Sequence, residues 1–145
     1  MIIYHNEDIK FSPKNKRAIS SWIANIVLSE SNNLKRVGDI NIIFCSDNYL
    51  LELNRKYLNH NYFTDIITFD YCESDLISGD LFISVETVKS NSIEYKTDFL
   101  NELYRVIIHG ILHLLGYNDQ SDDEIMFMKS AEERSLNALS IKNGE

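Results

Sequence analysis

Cysteine, proline and unbroken apolar runs are scarce in this chain, which has two cysteines and one proline among 145 residues. Cys45 and Cys72 stand far apart with no Cys-x-x-Cys spacing, which argues against a redox motif and leaves two reduced, buried thiols, neither of them a metal ligand. No stretch approaches the ~20 apolar residues that cross a bilayer, and Glu7, Asp8 and Lys10 break up the opening where a leader would need an apolar run. A cytoplasmic protein without a membrane partner is therefore expected. Repeats, low-complexity tracts and linkers are missing too, so one domain over residues 1–145 is expected. Positive charge is also short, with 14 basic against 22 acidic residues and a net charge of −8. Such a balance repels a phosphate backbone and opposes general nucleic-acid binding.

What is present suffices for a small enzyme. The 44% of hydrophobic residues can build a core that buries about two-thirds of the unfolded chain's surface. Residues 1–5 read as an edge strand. Ser12 and Pro13 predict a helix start, with serine as cap and proline in the first turn. Ala18, Ile19, Trp22, Ile23, Ile26 and Val27 recur at helical spacing to about Ser29, which makes Trp22 a core anchor. After Gly38, residues 39–45 alternate and then turn continuously apolar, as a half-buried strand does. Asp47 is expected to cap a second helix carrying Leu50, Leu51, Leu53 and Tyr57.

A polar loop at 59–63 leads to β-branched and aromatic runs at 66–71 and, after Gly79 and Asp80, at 81–85, which read as paired strands joined by an acidic loop. A helix over about 86–95 precedes a long apolar one containing Leu100, Leu103, Val106, Ile107 and Leu112. Ser121, followed by Asp122, Asp123 and Glu124, starts a last helix that Met126, Met128 and Ala131 continue; only the end at 143–145 looks frayed. The order predicts an α+β fold: a small mixed β-sheet of about four strands with helices packed on it.

Residues 109–119 read His-Gly-Ile-Leu-His-Leu-Leu-Gly-Tyr-Asn-Asp. On a buried helix, His109 and His113 stack on one face, four residues apart. Gly116 can take φ > 0 and end the helix, letting the chain turn back and bring Asp119 to the same point. Two imidazoles and a carboxylate suit one zinc ion, and three protein ligands leave a position open, the pattern of a catalytic site at the end of a central buried helix. The plainer alternative is two core or half-exposed histidines and an aspartate in a turn or helix cap. It would require a separate buried partner for each imidazole.

The run resembles the signature of the YbeY family of bacterial rRNA maturation factors, His-Gly-x-x-His-x-x-Gly-Tyr followed by a third ligand, here His109, Gly110, His113, Gly116, Tyr117 and Asp119. Residues 64–69 (Thr-Asp-Ile-Ile-Thr-Phe) and 79–84 (Gly-Asp-Leu-Phe-Ile-Ser) resemble two further blocks of that family. The resemblance runs from about residue 40 to residue 135. It implies a zinc-dependent, single-strand-specific endoribonuclease of ribosomal RNA processing and ribosome biogenesis, a hydrolase with the small ribosomal subunit and its proteins as partners. Such an ion either polarises a phosphoryl oxygen or activates a water for attack, while the RNA 2′-hydroxyl is a competing nucleophile.

Two positions depart from the family pattern. Asp119 stands where most members have a third histidine; a carboxylate still binds zinc, but cancels more of its charge. Leu58 stands where many carry an arginine after the segment containing Leu53, Asn54 and Tyr57, and leucine cannot clamp a phosphate. His60 is the candidate catalytic group and Arg55 and Lys56 the candidate substrate-binding groups that compensate, although loop histidines are often merely solvated. Lys14, Lys16 and Arg17, and Lys35 with Arg36, are other basic groups, and each is also what a solvated helix face displays. Thr64, Asp65 and Asp80 read as residues satisfying loop amides before strands; the resemblance implies instead that this strand edge forms one wall of a cleft facing the metal. Two alternatives remain. One is a non-catalytic ribosome assembly factor with a structural metal. The other, a metallopeptidase, needs a glutamate directly after the first histidine, where this chain has Gly110.

Overall fold

The computed structural model describes residues 1–60 and 63–139. The elements run β1 (Ile2–Asn6), α1 (Lys16–Glu30), β2 (Arg36–Cys45), α2 (Asp47–Leu53), a π-helical turn (Asn54–Leu58), β3 (Ile66–Asp70), β4 (Leu76–Ser84), α3 (Val85–Glu94), α4 (Phe99–Leu114) and α5 (Asp122–Asn137). The strands form one mixed sheet in the order β1-β2-β4-β3, with β1, β2 and β4 parallel and β3 antiparallel to β4. This is the α+β arrangement that the alternating strand and helix patterns predict. Asn61 and Tyr62 of the expected polar loop, and the expected frayed end at 143–145, lie outside the described residues.

Period-two alternation divides the sheet into two faces. Ile40, Ile42 and Phe44 of β2 and Ile77, Leu81 and Ile83 of β4 are buried in the main core with Ile19, Trp22, Ile23, Ile26 and Val27 of α1 and the apolar residues of α4. The opposite face carries a smaller cluster of Cys45, Leu50 and Ile67 under α2. Trp22 is the anchor that its helical spacing implied: it is 5% exposed, and its indole N–H donates to the Ser135 carbonyl at 2.8 Å. Among the described residues, no helix is long and apolar enough to cross a membrane.

Several boundaries differ from expectation, among them the start of β2, which begins at Arg36 and so takes Gly38 inside the strand. Ser12 and Pro13 do not open α1, which begins at Lys16 after Asn15 in the left-handed region (φ 62°) without a side-chain cap. Pro13 is buried, and the chain reverses at Asn15, a residue type that tolerates this conformation. Ser46, rather than Asp47, caps α2, accepting from the Tyr49 amide at 3.2 Å. Asp47 instead receives the Ser84 and Thr87 hydroxyls and ties α2 to the start of α3. Finally, β4 begins at Leu76, so Gly79 and Asp80 lie inside the strand. A Cβ at position 79 would collide with the Phe69 carbonyl of β3, so this glycine serves close approach rather than a turn. Asp80 accepts from the Asn41 side chain across the sheet at 3.0 Å and satisfies no loop amide.

Helix α4 has the strongest amphipathic pattern in the chain, and from Leu103 to Leu114 it is buried on nearly every side, by β3, β4, α3 and α5. It comes closest to the sheet at Gly110, where a Cβ would lie 2.7 Å from Leu81 Cδ2 and 2.8 Å from Ile66 Cδ1. Gly110→Ala is therefore expected to push α4 off β3 and β4. The predicted cost is about 1–3 kcal/mol, read as a lower midpoint in chemical denaturation; an unchanged midpoint would show that Leu81 and Ile66 move aside freely.

Candidate metal centre

The two histidines lie in the last two turns of α4, with their rings almost perpendicular and their centroids 4.5 Å apart. Beyond them, Gly116 takes φ 105° and its amide closes on the His113 carbonyl at 3.0 Å, ending the helix as its position in the motif requires. The chain then turns back through residues 117–119. A capping box, in which the Ser121 and Glu124 side chains satisfy one another's backbone amides, fixes the start of α5 immediately after Asp119.

The result is a triangle of donor atoms. His109 Nε2 and His113 Nε2 are 3.0 Å apart, and Asp119 Oδ2 lies 3.5 Å from the first and 3.4 Å from the second. Three ligands of a tetrahedral zinc at ~2.0–2.1 Å are separated from one another by about 3.3–3.4 Å, so the two edges to Asp119 are of the length such an ion needs, and the edge between the imidazoles is shorter by a few tenths of an ångström. His113 Nδ1 donates to the Tyr117 carbonyl at 2.9 Å, and His109 Nδ1 to Glu132 Oε2 at 2.6 Å. With both Nδ1 atoms serving as donors, both Nε2 lone pairs face the Asp119 carboxylate. When both rings are neutral, these three acceptors converge without a proton between them, and a cation relieves their repulsion. The cluster can hold a metal ion.

The triangle opens into a cleft of about 530 Å³. Edge strand β3 forms one wall with Ile66, Ile67, Thr68 and Asp70, preceded by Thr64 and Asp65. Asn54 and Leu58 of the π-helical turn, together with His60, supply the other wall, and Gln120 stands beside Asp119. No lysine or arginine lines the cleft among the described residues, while Asp65, Asp70 and Asp119 do. Burial raises the Asp65 carboxyl above its ordinary range, against the lowering influence of Arg105 and His109. Burial pulls His109 down, but the Glu132 hydrogen bond and the negative charges of Glu132, Asp65 and Asp119 outweigh it and leave this imidazole above its usual value.

Of the groups singled out from sequence, His109, His113 and Asp119 meet, and His60 joins the cleft with its amide on the Asn54 carbonyl at 3.0 Å. Arg55 pairs with Glu52 at 2.7 Å and Lys56 lies over the Tyr57 ring; neither lines the cleft. Asp65 is half-buried in the cleft wall rather than only serving a loop amide. Glu132 went unnoticed in the sequence, although it had a signal. Met128, Ala131 and Ser135 mark the buried stripe of α5, and Glu132 is a carboxylate on that stripe.

The Tyr117 carbonyl that holds His113 is itself secured. The Tyr117 hydroxyl donates to Glu30 Oε1 at 2.6 Å, and Arg134 forks onto both Glu30 oxygens at 3.0 and 3.2 Å, joining the ends of α1 and α5.

The sequence profile of the family described as Endoribonuclease YbeY matches residues 1–140. A protein of Phocaeicola vulgatus named Endoribonuclease YbeY is 50% identical over 141 residues, covering 97% of this chain and all of the relative. One of the same name from Bacteroides fragilis is 51% identical over 135 residues, covering 93% and 95%, and one from Flavobacterium psychrophilum is 44% identical over 141 residues, covering 97% and 99%. The solution structure of TM1509 from Thermotoga maritima shares the fold, with a TM-score of 0.65 and 24% identity over 100% of this chain and 99% of that one.

Glu30 lies below the usual carboxylate range, because the Arg134 hydrogen bonds, aided by the Tyr117 hydroxyl, outweigh its partial burial. A depressed carboxyl contributes stability that is complete above its ordinary value of 4.5 and is lost as pH falls through the lower folded-state value. Glu30→Gln is therefore expected to cost about 1 kcal/mol at neutral pH, discounted for the exposure of Arg134. The gap to the parent should close as pH drops below 4.5. Denaturation curves that coincide at neutral pH would show that the fork contributes nothing.

Proposed function

The chain belongs to the YbeY family of endoribonucleases, and from that premise we propose that it is a zinc-dependent endoribonuclease that cuts single-stranded RNA during ribosomal RNA maturation. His109, His113 and Asp119 are the proposed ligands of one zinc ion. The observation that carries this reading is the donor triangle, whose donor types suit zinc, whose edges lie within a few tenths of an ångström of those a tetrahedral zinc needs, and whose open side faces the cleft. When bound, such an ion supplies a Lewis acid for a phosphoryl oxygen or for a water.

The protein's own groups supply position. The β3 edge, with Thr64 and Thr68, and the opposing Asn54 and His60 offer hydrogen-bonding groups along the cleft without positive charge. His60, a cleft-lining residue, is assigned to proton exchange with a substrate hydroxyl. Arg55 and Lys56, on the turn that carries Leu58, are assigned to phosphates beyond the cleft mouth. A chain of net charge −8 cannot hold RNA by general attraction, which favours presentation of the substrate by a ribonucleoprotein, the small ribosomal subunit in this reading. Position 110 argues against a peptidase: it is a glycine, which supplies no carboxylate base after the first histidine.

Zinc-incubated protein should retain about one ion per chain by elemental mass spectrometry and lose it in Asp119→Ala. The loaded protein should cleave a labelled single-stranded RNA, and His113→Ala, shown folded by circular dichroism, should lose at least about a hundredfold in rate. Cleavage that persists in His113→Ala, or a zinc-loaded parent that never cleaves, would favour the assembly-factor alternative.

The absence of lysine and arginine from the cleft among the described residues carries a second expectation, for binding alone. A 2′-deoxy-substituted strand, verified to stay uncleaved during the measurement, should bind the loaded protein at least about tenfold more tightly than the stripped one. Equal binding would place the RNA elsewhere on the surface.

A further inference from the structure

Glu132 projects from α5 onto the back of the metal centre, 23 residues from His109 in sequence and 8% exposed. Its two oxygens have different partners. Oε2 accepts the hydrogen bond of His109 Nδ1–H at 2.6 Å, while Oε1 meets Arg105 Nη1 at 3.4 Å, a long contact. The closer partner of Arg105 is Glu102, which is 3% exposed and receives the guanidinium in a two-pronged bond, Nε to Oε1 at 2.9 Å and Nη2 to Oε2. Two carboxylates thus share one guanidinium, and Glu102 has the better geometry. Of the two groups that meet Glu132, the His109 imidazole is the closer, and Arg105 is committed mainly to Glu102.

The second histidine has no such backing. His113 Nδ1 is held by the neutral Tyr117 carbonyl. The two imidazoles are therefore unequal donors, one backed by a carboxylate and one by an amide oxygen. A carboxylate behind a ring fixes its tautomer and makes its far nitrogen a stronger electron donor.

We propose that Glu132 is the positioning residue of the metal centre: it locks His109 in the Nδ1–H tautomer, with the Nε2 lone pair aimed into the donor triangle, and strengthens that nitrogen as a ligand. Glu102 supports this by occupying Arg105, which would otherwise neutralise Glu132. The role in metal affinity rests on the metal-dependent reading above, whereas the tautomer lock does not.

Glu132→Gln tests both parts. The new amide faces Arg105, a pure donor, which draws its oxygen there and turns its NH₂ toward His109 Nδ1. That nitrogen must then accept, its proton moves to Nε2, and the ligand atom is blocked. Arg105 keeps Glu102, so the variant has no unpaired guanidinium and is expected to fold. In nitrogen-15 imidazole spectra of the metal-stripped full chain, taken well above the imidazole titration range, the parent should show Nδ1–H at both His109 and His113. Glu132→Gln should shift His109 to Nε2–H and leave His113 unchanged. Glu132→Asp, which keeps the charge, should restore part of the parent signature. Zinc affinity, measured by competition with a chelating dye, should fall about 10–100-fold in Glu132→Gln and less in Glu132→Asp.

A parent His109 already in the Nε2–H form would overturn the tautomer lock, with no variant needed. A folded Glu132→Gln with the parent tautomer and parent zinc affinity would overturn the assignment of Glu132. The expected tautomers in a parent that takes up no zinc would leave the lock standing and overturn the affinity role together with the metal-dependent function.

Discussion

Three lone-pair atoms directed at one another within 3.5 Å form an arrangement that a protein must hold by force, and most of the structure around α4 can be read as the means of holding it. Two of the atoms come from one rigid helix, which is pressed onto the sheet at Gly110 and buried on nearly all sides. The third comes from a turn clamped between a glycine helix stop and a capping box. Helix α5 closes the back, reaching His109 through Glu132 and the Tyr117 turn through Arg134. Little in this cage is free to relax away from the mutual repulsion.

The surrounding charge follows from the same requirement. The cleft walls carry aspartates and neutral polar groups, and the basic residues that neighbour it in sequence, Arg55 and Lys56, are engaged with Glu52 and Tyr57. Leu58 lines the cleft in the column where the family resemblance leads one to expect an arginine. The protein gathers its candidate metal-binding donors in one cluster and leaves the cleft around them without basic residues among those described, which accords with its acidic composition.

Much of this was legible in the sequence, because the decisive signals are local. The four-residue spacing of His109 and His113, the stop at Gly116 and the Ser121 to Glu124 cap each act within one or two helical turns, and the structure carries all three. The paired runs that became β3 and β4 were legible for the same reason. Boundaries set by competition between neighbours were not. Ser12 with Pro13 lost to a reversal at Asn15, Asp47 lost the cap to Ser46, and Gly79 looked like a turn because the close passage of Phe69 is invisible from sequence. Glu132 illustrates the general limit: its partner lies 23 positions away, and only the buried stripe of α5 hinted that a carboxylate there has a task.

The donor atoms at His109, His113 and Asp119 come from a very short piece of chain, whereas Trp22 reaches Ser135 across 113 positions and Arg134 reaches Glu30 across 104. Closing a small ring removes little disorder from an unfolded polypeptide, and closing a large one removes more. Long-range architecture therefore falls to the tryptophan and the arginine fork, and an ion drawn into the triangle would be a late guest in a house already built.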